Sequence, residues 1–153
     1  MNDKLVNMTQ IGGGHYKGTT YQHWDFVIQA LEGRYLEGNI TKYVTRHRKK
    51  NGLQDLLKAR HYLDKLIEQY NLGFVSPLVQ PHRLVHHQTP EHFCDVNGLD
   101  VSERNFVVLL SNWHSRADLN IAGRMLDAMI DRERYADEEE RTAEAGPGYV
   151  NQD

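Results

Sequence analysis

Lys42, Arg46, Lys49 and Lys50 recur at helical spacing in Gly38-Asn39-Ile40-Thr41-Lys42-Tyr43-Val44-Thr45-Arg46-His47-Arg48-Lys49-Lys50-Asn51-Gly52. On a helix they share a stripe with Asn39, so several cations could meet a phosphate chain across about two turns. Downstream, Asp55, Lys58, Ala59 and Tyr62 form a second stripe that can line the same groove. There Asp55 can orient Arg46 or accept a hydrogen bond from a sugar or base. The plain alternative is solvated charge on a hairpin surface. Asn39, at the border of the apolar and cationic faces, fits that alternative less well.

Two further groups invite chemistry. Gly12-Gly13-Gly14-His15-Tyr16-Lys17-Gly18 can bring backbone N–H groups, an imidazole and an ammonium to a ligand, although its composition also suits a flexible linker. It is no Walker loop, because G-x-x-x-x-G-K-[ST] is absent. His82, His86, His87, His92 and Cys94 raise zinc, but without C-x-x-C or a helical H-x-x-x-H they read as loop and surface residues, and no metal site is expected. Trp113 and His114 read as packing at a helix end. A magnesium-dependent nucleotide pyrophosphatase needs converging carboxylates on such a hairpin, and the equivalent face holds Asn39, Lys42 and Arg46. No G-x-S-x-G or Rossmann fingerprint occurs.

These residues need elements to position them. Trp24, Val27, Ile28 and Leu31 predict a short helix over about 22–31 with that face inward, and Gly33 just past its end. A second helix is expected over about 35–50, with Leu36, Ile40, Tyr43, Val44 and His47 on its core side and Asn51-Gly52 as its C-cap. Leu53, Leu56, Leu57, Leu63, Leu66, Ile67 and Tyr70 predict a third over about 53–70. So short a connection makes the second and third an antiparallel hairpin. Thr89-Pro90-Glu91 has the order of an N-cap, a first-position proline and a first-turn acid. Ser102 is the expected cap of a helix through Phe106 to Trp113. Ser115 is the expected cap of a longer one burying Leu119, Ala122, Met125, Leu126, Met129 and Ile130. Beyond Ala136 the charge run and Gly146-Pro147-Gly148 read as a frayed, solvated tail.

The expected class is therefore all-α: a central antiparallel helical hairpin with additional C-terminal helices and no P-loop sheet. Its expected parts are a flexible segment (1–20) with a ligand-contacting loop, a helical core (21–71), a helical extension (72–135) and an acidic tail (136–153).

Charge is uneven along the 153 residues. The net value of -3 divides into -5 over residues 136–153 and +2 before them, with a local +6 between Arg34 and His61. Such an acidic tail beside one short basic face opposes direct binding to a DNA backbone. The single cysteine, Cys94, excludes an intramolecular disulfide and suits a reducing cytoplasm. The N-terminus lacks the apolar run of a signal peptide, and no stretch approaches the roughly 18 apolar residues of a membrane span. The expectation is a soluble cytoplasmic protein without a membrane partner.

His15-Tyr16-Lys17, Gly38-Asn39-Ile40-x-Lys42-Tyr43-x-x-Arg46 and Lys49-Lys50-Asn51-Gly52-x-x-Asp55-Leu56-x-Lys58-Ala59-x-x-Tyr62-Leu63, in that order, resemble the SaV-like family of small tailed-phage proteins. The likeness covers about residues 14–70. Many members are of unknown function, and some are described as phage nucleotide kinases. The resemblance implies a core of nucleotide-kinase type and phosphoryl transfer to deoxynucleoside monophosphates, serving phage DNA synthesis in the host bacterial cytoplasm. It implies that Lys42 and Arg46 bind the transferring phosphates, Lys50 and Lys58 hold outer phosphates, His15, Tyr16 and Asn39 contact base or sugar, and Asp55 orients the cations. Lys17, Lys49 and Tyr62 complete the nucleotide-binding set. No resident cofactor is evident. A kinase needs a nucleoside triphosphate donor, and the magnesium requirement is open.

The alternatives are a nucleotide-binding or sequestering protein without turnover, and a host-takeover protein whose helices bind a bacterial partner. Polar ligands on one hairpin face leave an open site, so a second copy of the chain is expected to complete it. Light scattering at micromolar concentration should give a mass above that of one chain; a monomer would count against the homo-oligomer.

Overall fold

The computed structural model describes residues 20–77 and 88–145. Helices joined by short turns account for the architecture: α1 (His23–Ala30), α2 (Tyr35–Arg46), a 3-10 turn (His47–Lys49), α3 (Gly52–Asn71), α4 (Pro90–Val96), α5 (Val101–Ser111) and α6 (Arg116–Ala145). No strand occurs among the described residues, and the chain is all-α. None of the described helices is long and apolar enough to cross a membrane.

The α2–α3 hairpin is the centre of the molecule. Ile40 and Val44 of α2 and Leu56, Ala59, Leu63 and Leu66 of α3 are removed from solvent. α6 covers the other side of α3, α5 packs on α2 and α6, and α4 joins α5 to α1. One apolar core therefore runs from Phe26 of α1 through the hairpin to Leu126 and Ile130 of α6. Burial on that scale, at about 25 cal/mol per Å2 of apolar surface, is the main force holding the helices together.

Where the helices begin and end follows from caps and turns. Thr89 caps α4, its hydroxyl accepting from the His92 N–H at 3.2 Å, with Pro90 at the first position as expected. Ser115 opens α6 in a reciprocal pair with Asp118. Other expectations are corrected. α5 is capped by Asp100, not Ser102, because Asp100 and Glu103 stand three apart and each accepts the other's backbone N–H. Ser102 instead accepts a hydrogen bond from Arg132 at 3.0 Å. α2 ends at Arg46, where the chain tightens into the 3-10 turn, and Gly52 is the first residue of α3, not a C-cap. Its φ of +46° suits glycine at so tight a reversal. Residues 136–145 continue α6 instead of fraying. No helix breaker precedes Gly146-Pro147, and opposite charges recur at four-residue spacing in Arg134 and Glu138 and in Asp137 and Arg141.

The largest correction concerns α1. Its buried anchor is Phe26, stacked on Phe93 of α4 at 4.2 Å, while Leu31 is buried just beyond the helix. Val27 lies against Gly38, where an added Cβ would come within 3.0 Å of Val27 Cγ1, so α1 rests on bare α2 backbone. That orientation turns Trp24 and Ile28 outward, 45% and 68% exposed. Leu57, also expected in the core, is exposed on α3.

Three buried carboxylates lock the helices, and each meets an arginine. Glu37 pairs with Arg34 at 3.1 Å and accepts from Trp113 Nε1 at 3.2 Å. Asp55 pairs with Arg46. Glu103, at the start of α5, receives Arg48 Nε and Nη2 at 2.7 and 2.6 Å and lies 3.4 Å from the buried His47. A buried carboxylate stripped of its cation keeps its desolvation penalty. Arg48→Ala should therefore cost about 2 kcal/mol, whereas Lys49→Ala and Lys50→Ala should stay within about 0.5 kcal/mol. Urea unfolding of the three variants tests this; equal midpoints would show that Arg48 is surface charge like its neighbours.

Candidate functional site

Because α2 and α3 run antiparallel from a tight turn, Arg46 near the end of one faces Asp55 near the start of the other. Arg46 Nε donates to Asp55 Oδ2 at 2.9 Å and Nη2 to Oδ1 at 3.1 Å. Asn51 Nδ2 reaches Oδ1 at 3.4 Å, and Lys58 Nζ lies 3.9 Å from the same oxygen. Burial alone would raise the Asp55 pKa, but hydrogen bonds from Arg46 and Asn51 and the charges of Arg46 and Lys58 hold it below the usual carboxylate range. The bidentate pair fixes the Arg46 guanidinium in one place.

Around that pair the cations crowd one ring. Lys42 Nζ and the Arg46 guanidinium each lie 4.7 Å from the centre of the Tyr43 ring, and Lys58 Nζ lies 5.6 Å from it. The quadrupole of the ring attracts each of them while they repel one another. Lys42 feels this most. Its pKa is lowered by burial and by Arg46 and Lys58, against the opposing pull of Asp55. Asn39 aims it, donating to the Tyr35 carbonyl at 2.8 Å while its Oδ1 accepts from Lys42 Nζ at 2.8 Å. The cluster suits an anion, which would relieve the repulsion.

His23 borders the same cations. Its Nε2 is 3.0 Å from Thr41 Oγ1, and that hydroxyl is 2.9 Å from the Glu37 carbonyl. The hydroxyl proton goes to the carbonyl, so His23 Nε2–H is the donor to Thr41 Oγ1. Burial, followed by the charges of Lys42 and Arg46, lowers the His23 pKa to about 3.

An open groove of about 350 Å3 lies beside the cluster, between α1 and the start of α2. Its lining includes His23, Trp24, Ile28, Tyr35, Asn39 and Lys42. Tyrosines link it to the cations a second time: Tyr62 meets Tyr35 edge-on at 6.1 Å and stacks on Tyr43 at 5.8 Å. A hydrogen bond with Tyr35, aided by burial, pushes the Tyr62 phenol pKa up.

Of the residues singled out in the sequence, Asn39, Lys42, Arg46, Asp55, Lys58 and Tyr62 come together here. Ala59 does not line the face, being in the core. Lys49 and Lys50 are exposed at the 3-10 turn and its end. His15, Tyr16 and Lys17 lie outside the described residues, as do His82, His86 and His87. His92 stacks on Tyr21 at 6.0 Å. Cys94 is buried, which pushes its thiol pKa up to about 12 and keeps it protonated. No group of three metal-ligating side chains occurs among the described residues. Trp113 packs at the end of α5 against Tyr70, as its position suggested.

Sequence reasoning missed His23, Trp24 and Tyr35 as site residues and placed Tyr43 in the core. Only the interleaving of Tyr43 between Lys42 and Arg46 gave a usable signal for any of them.

Residues 12–64 match a family model for proteins of unknown function, DUF3310. That span contains α1, α2 and the half of α3 that carries Asp55, Lys58 and Tyr62. No curated protein and no solved structure matches the chain.

Asp55 and His23 affect stability at different pH. The native carboxylate of Asp55 resists protonation more than the unfolded one, so its stabilisation is complete above about pH 4 and fades as pH falls through its lowered native value. Native His23 refuses a proton until about pH 3, whereas the unfolded chain accepts one near 6.5. As pH falls from about 6.5 toward 3, stability should thus drop by about 1.4 kcal/mol per pH unit from this residue alone. His23→Gln, which keeps a donor for Thr41, should flatten that slope in urea unfolding at pH 6.5, 5.5 and 4.5. Parallel curves for variant and parent would show that His23 titrates normally.

Proposed function

We propose that the α1–α3 site binds nucleotides and transfers a phosphoryl group to deoxynucleoside monophosphates, in support of phage DNA synthesis. The observation that carries this reading is the convergence of Lys42, Arg46 and Lys58 on the Tyr43 ring around a single carboxylate that Arg46 already neutralises. Phosphoryl transfer asks a protein chiefly for positioning and charge stabilisation, and this arrangement offers both. Lys42 and Arg46 take the transferring phosphate, and Lys58, 41% exposed, takes an outer one.

The acceptor is a monophosphate oxygen that is already ionised. It attacks the terminal phosphorus of a nucleoside triphosphate, the bridging P–O bond breaks, and the nucleoside diphosphate leaves with the bonding electrons. No side chain has to take a proton from the nucleophile. Both Asp55 oxygens are engaged by Arg46, so magnesium would enter with the triphosphate donor.

Binding without turnover is the second reading, favoured by the openness of the groove and the exposure of Lys58, which leave phosphates accessible to water. A neighbouring copy of the chain closing the groove would favour turnover instead.

Arg46→Ala is a poor probe because it leaves Asp55 buried without its cation. Lys42→Met keeps the hairpin pairs. With each deoxynucleoside monophosphate and magnesium triphosphate, the parent should form diphosphates resolved by anion-exchange chromatography. Lys42→Met should lower kcat/KM by about 100-fold at an unchanged melting temperature. Saturable binding without product would select sequestration, and absence of both would end the nucleotide reading.

A further inference from the structure

The α1 face that opens outward has a composition unlike the cation cluster it adjoins. Trp24 and Ile28 stand on one side of the groove and Tyr35, 69% exposed, on the other. Gly33 and Gly38 contribute to its lining. A volume of about 350 Å3 falls at the lower end of small-molecule sites, roughly 300–1,000 Å3. Lys42 belongs to both regions, lining the groove while lying over Tyr43.

Resting on the nucleotide reading above, we infer that this groove is the nucleobase subsite, with the base stacked on the Trp24 indole beside Tyr35 and the phosphate carried from there to Lys42. An indole offers every base a flat apolar surface without reading its edge, so affinity depends on a base being present more than on which base it is. Asn39, whose amide already holds Tyr35 and Lys42, supports the lysine. Burying Trp24 and Ile28 under a ligand also answers their exposure.

Intrinsic fluorescence tests this directly, because the other tryptophan, Trp113, is buried and Trp24 is the one a ligand can cover. The parent chain, Trp24→Leu and Lys42→Met are titrated with a deoxynucleoside monophosphate, deoxyribose 5-phosphate and pyrophosphate, with calorimetry for affinities. In the parent the nucleotide should quench emission and bind about tenfold tighter than deoxyribose 5-phosphate, while pyrophosphate competes without comparable quenching. Trp24→Leu should lose the tenfold and keep its pyrophosphate affinity; Lys42→Met should weaken every ligand. Equal affinities for nucleotide and deoxyribose 5-phosphate, or an unchanged nucleotide affinity in Trp24→Leu, would overturn the base subsite and leave the phosphate site standing. Failure of the folded parent to bind nucleotide or pyrophosphate would remove both readings.

Discussion

A carboxylate out of reach of water must find a counter-charge, and this fold meets that condition three times with arginines from one short segment. Arg34 answers Glu37, Arg46 answers Asp55 and Arg48 answers Glu103. The partners lie within α2, across the hairpin and at the start of α5. The segment from Arg34 to Arg48 therefore fixes the turn into α2, the register of α3 and the docking of α5. Planar guanidinium groups suit this work because they can meet both oxygens of a carboxylate while staying charged.

The same condition sorts the basic residues. Arg34, Arg46 and Arg48 have partners built into the interior, and the local surplus of positive charge resides in lysines. Two of those, Lys49 and Lys50, project at the end of the 3-10 turn, whereas Lys42 and Lys58 are gathered beside Arg46 over Tyr43. Charge concentrated at one ring, with its carboxylate already neutralised, makes a local positive field. The fold supplies the immobile cation in Arg46 and the adjustable ones in the lysines.

Packing of α1 completes the site. Gly38 lets Val27 approach the α2 backbone, and Phe26 reaches Phe93 of α4. His23 is thereby carried to Thr41 beside the cations, and Trp24 to the rim of the groove. A bulkier residue at position 38 would push α1 outward and disturb all three contacts together.

The sequence by itself determined the helical class, the α2–α3 hairpin, the Thr89 and Ser115 caps and the joint placement of Lys42, Arg46, Asp55, Lys58 and Tyr62. Each depends on spacing along one helix or across a turn of a few residues, and a 3.6-residue period resolves such neighbours. The tertiary structure alone decided which face of α1 is buried, which cations have interior partners and how Trp24 and Tyr35 border the cluster. Trp24, Val27, Ile28 and Leu31 have a sound helical period, yet Phe26 won the core because Phe93, far along the chain, was there to receive it. Arg48 and Glu103 are 55 residues apart, and Trp113 and Glu37 are 76 apart. Local periodicity carries no information about partners at such distances; they meet only when the helices pack.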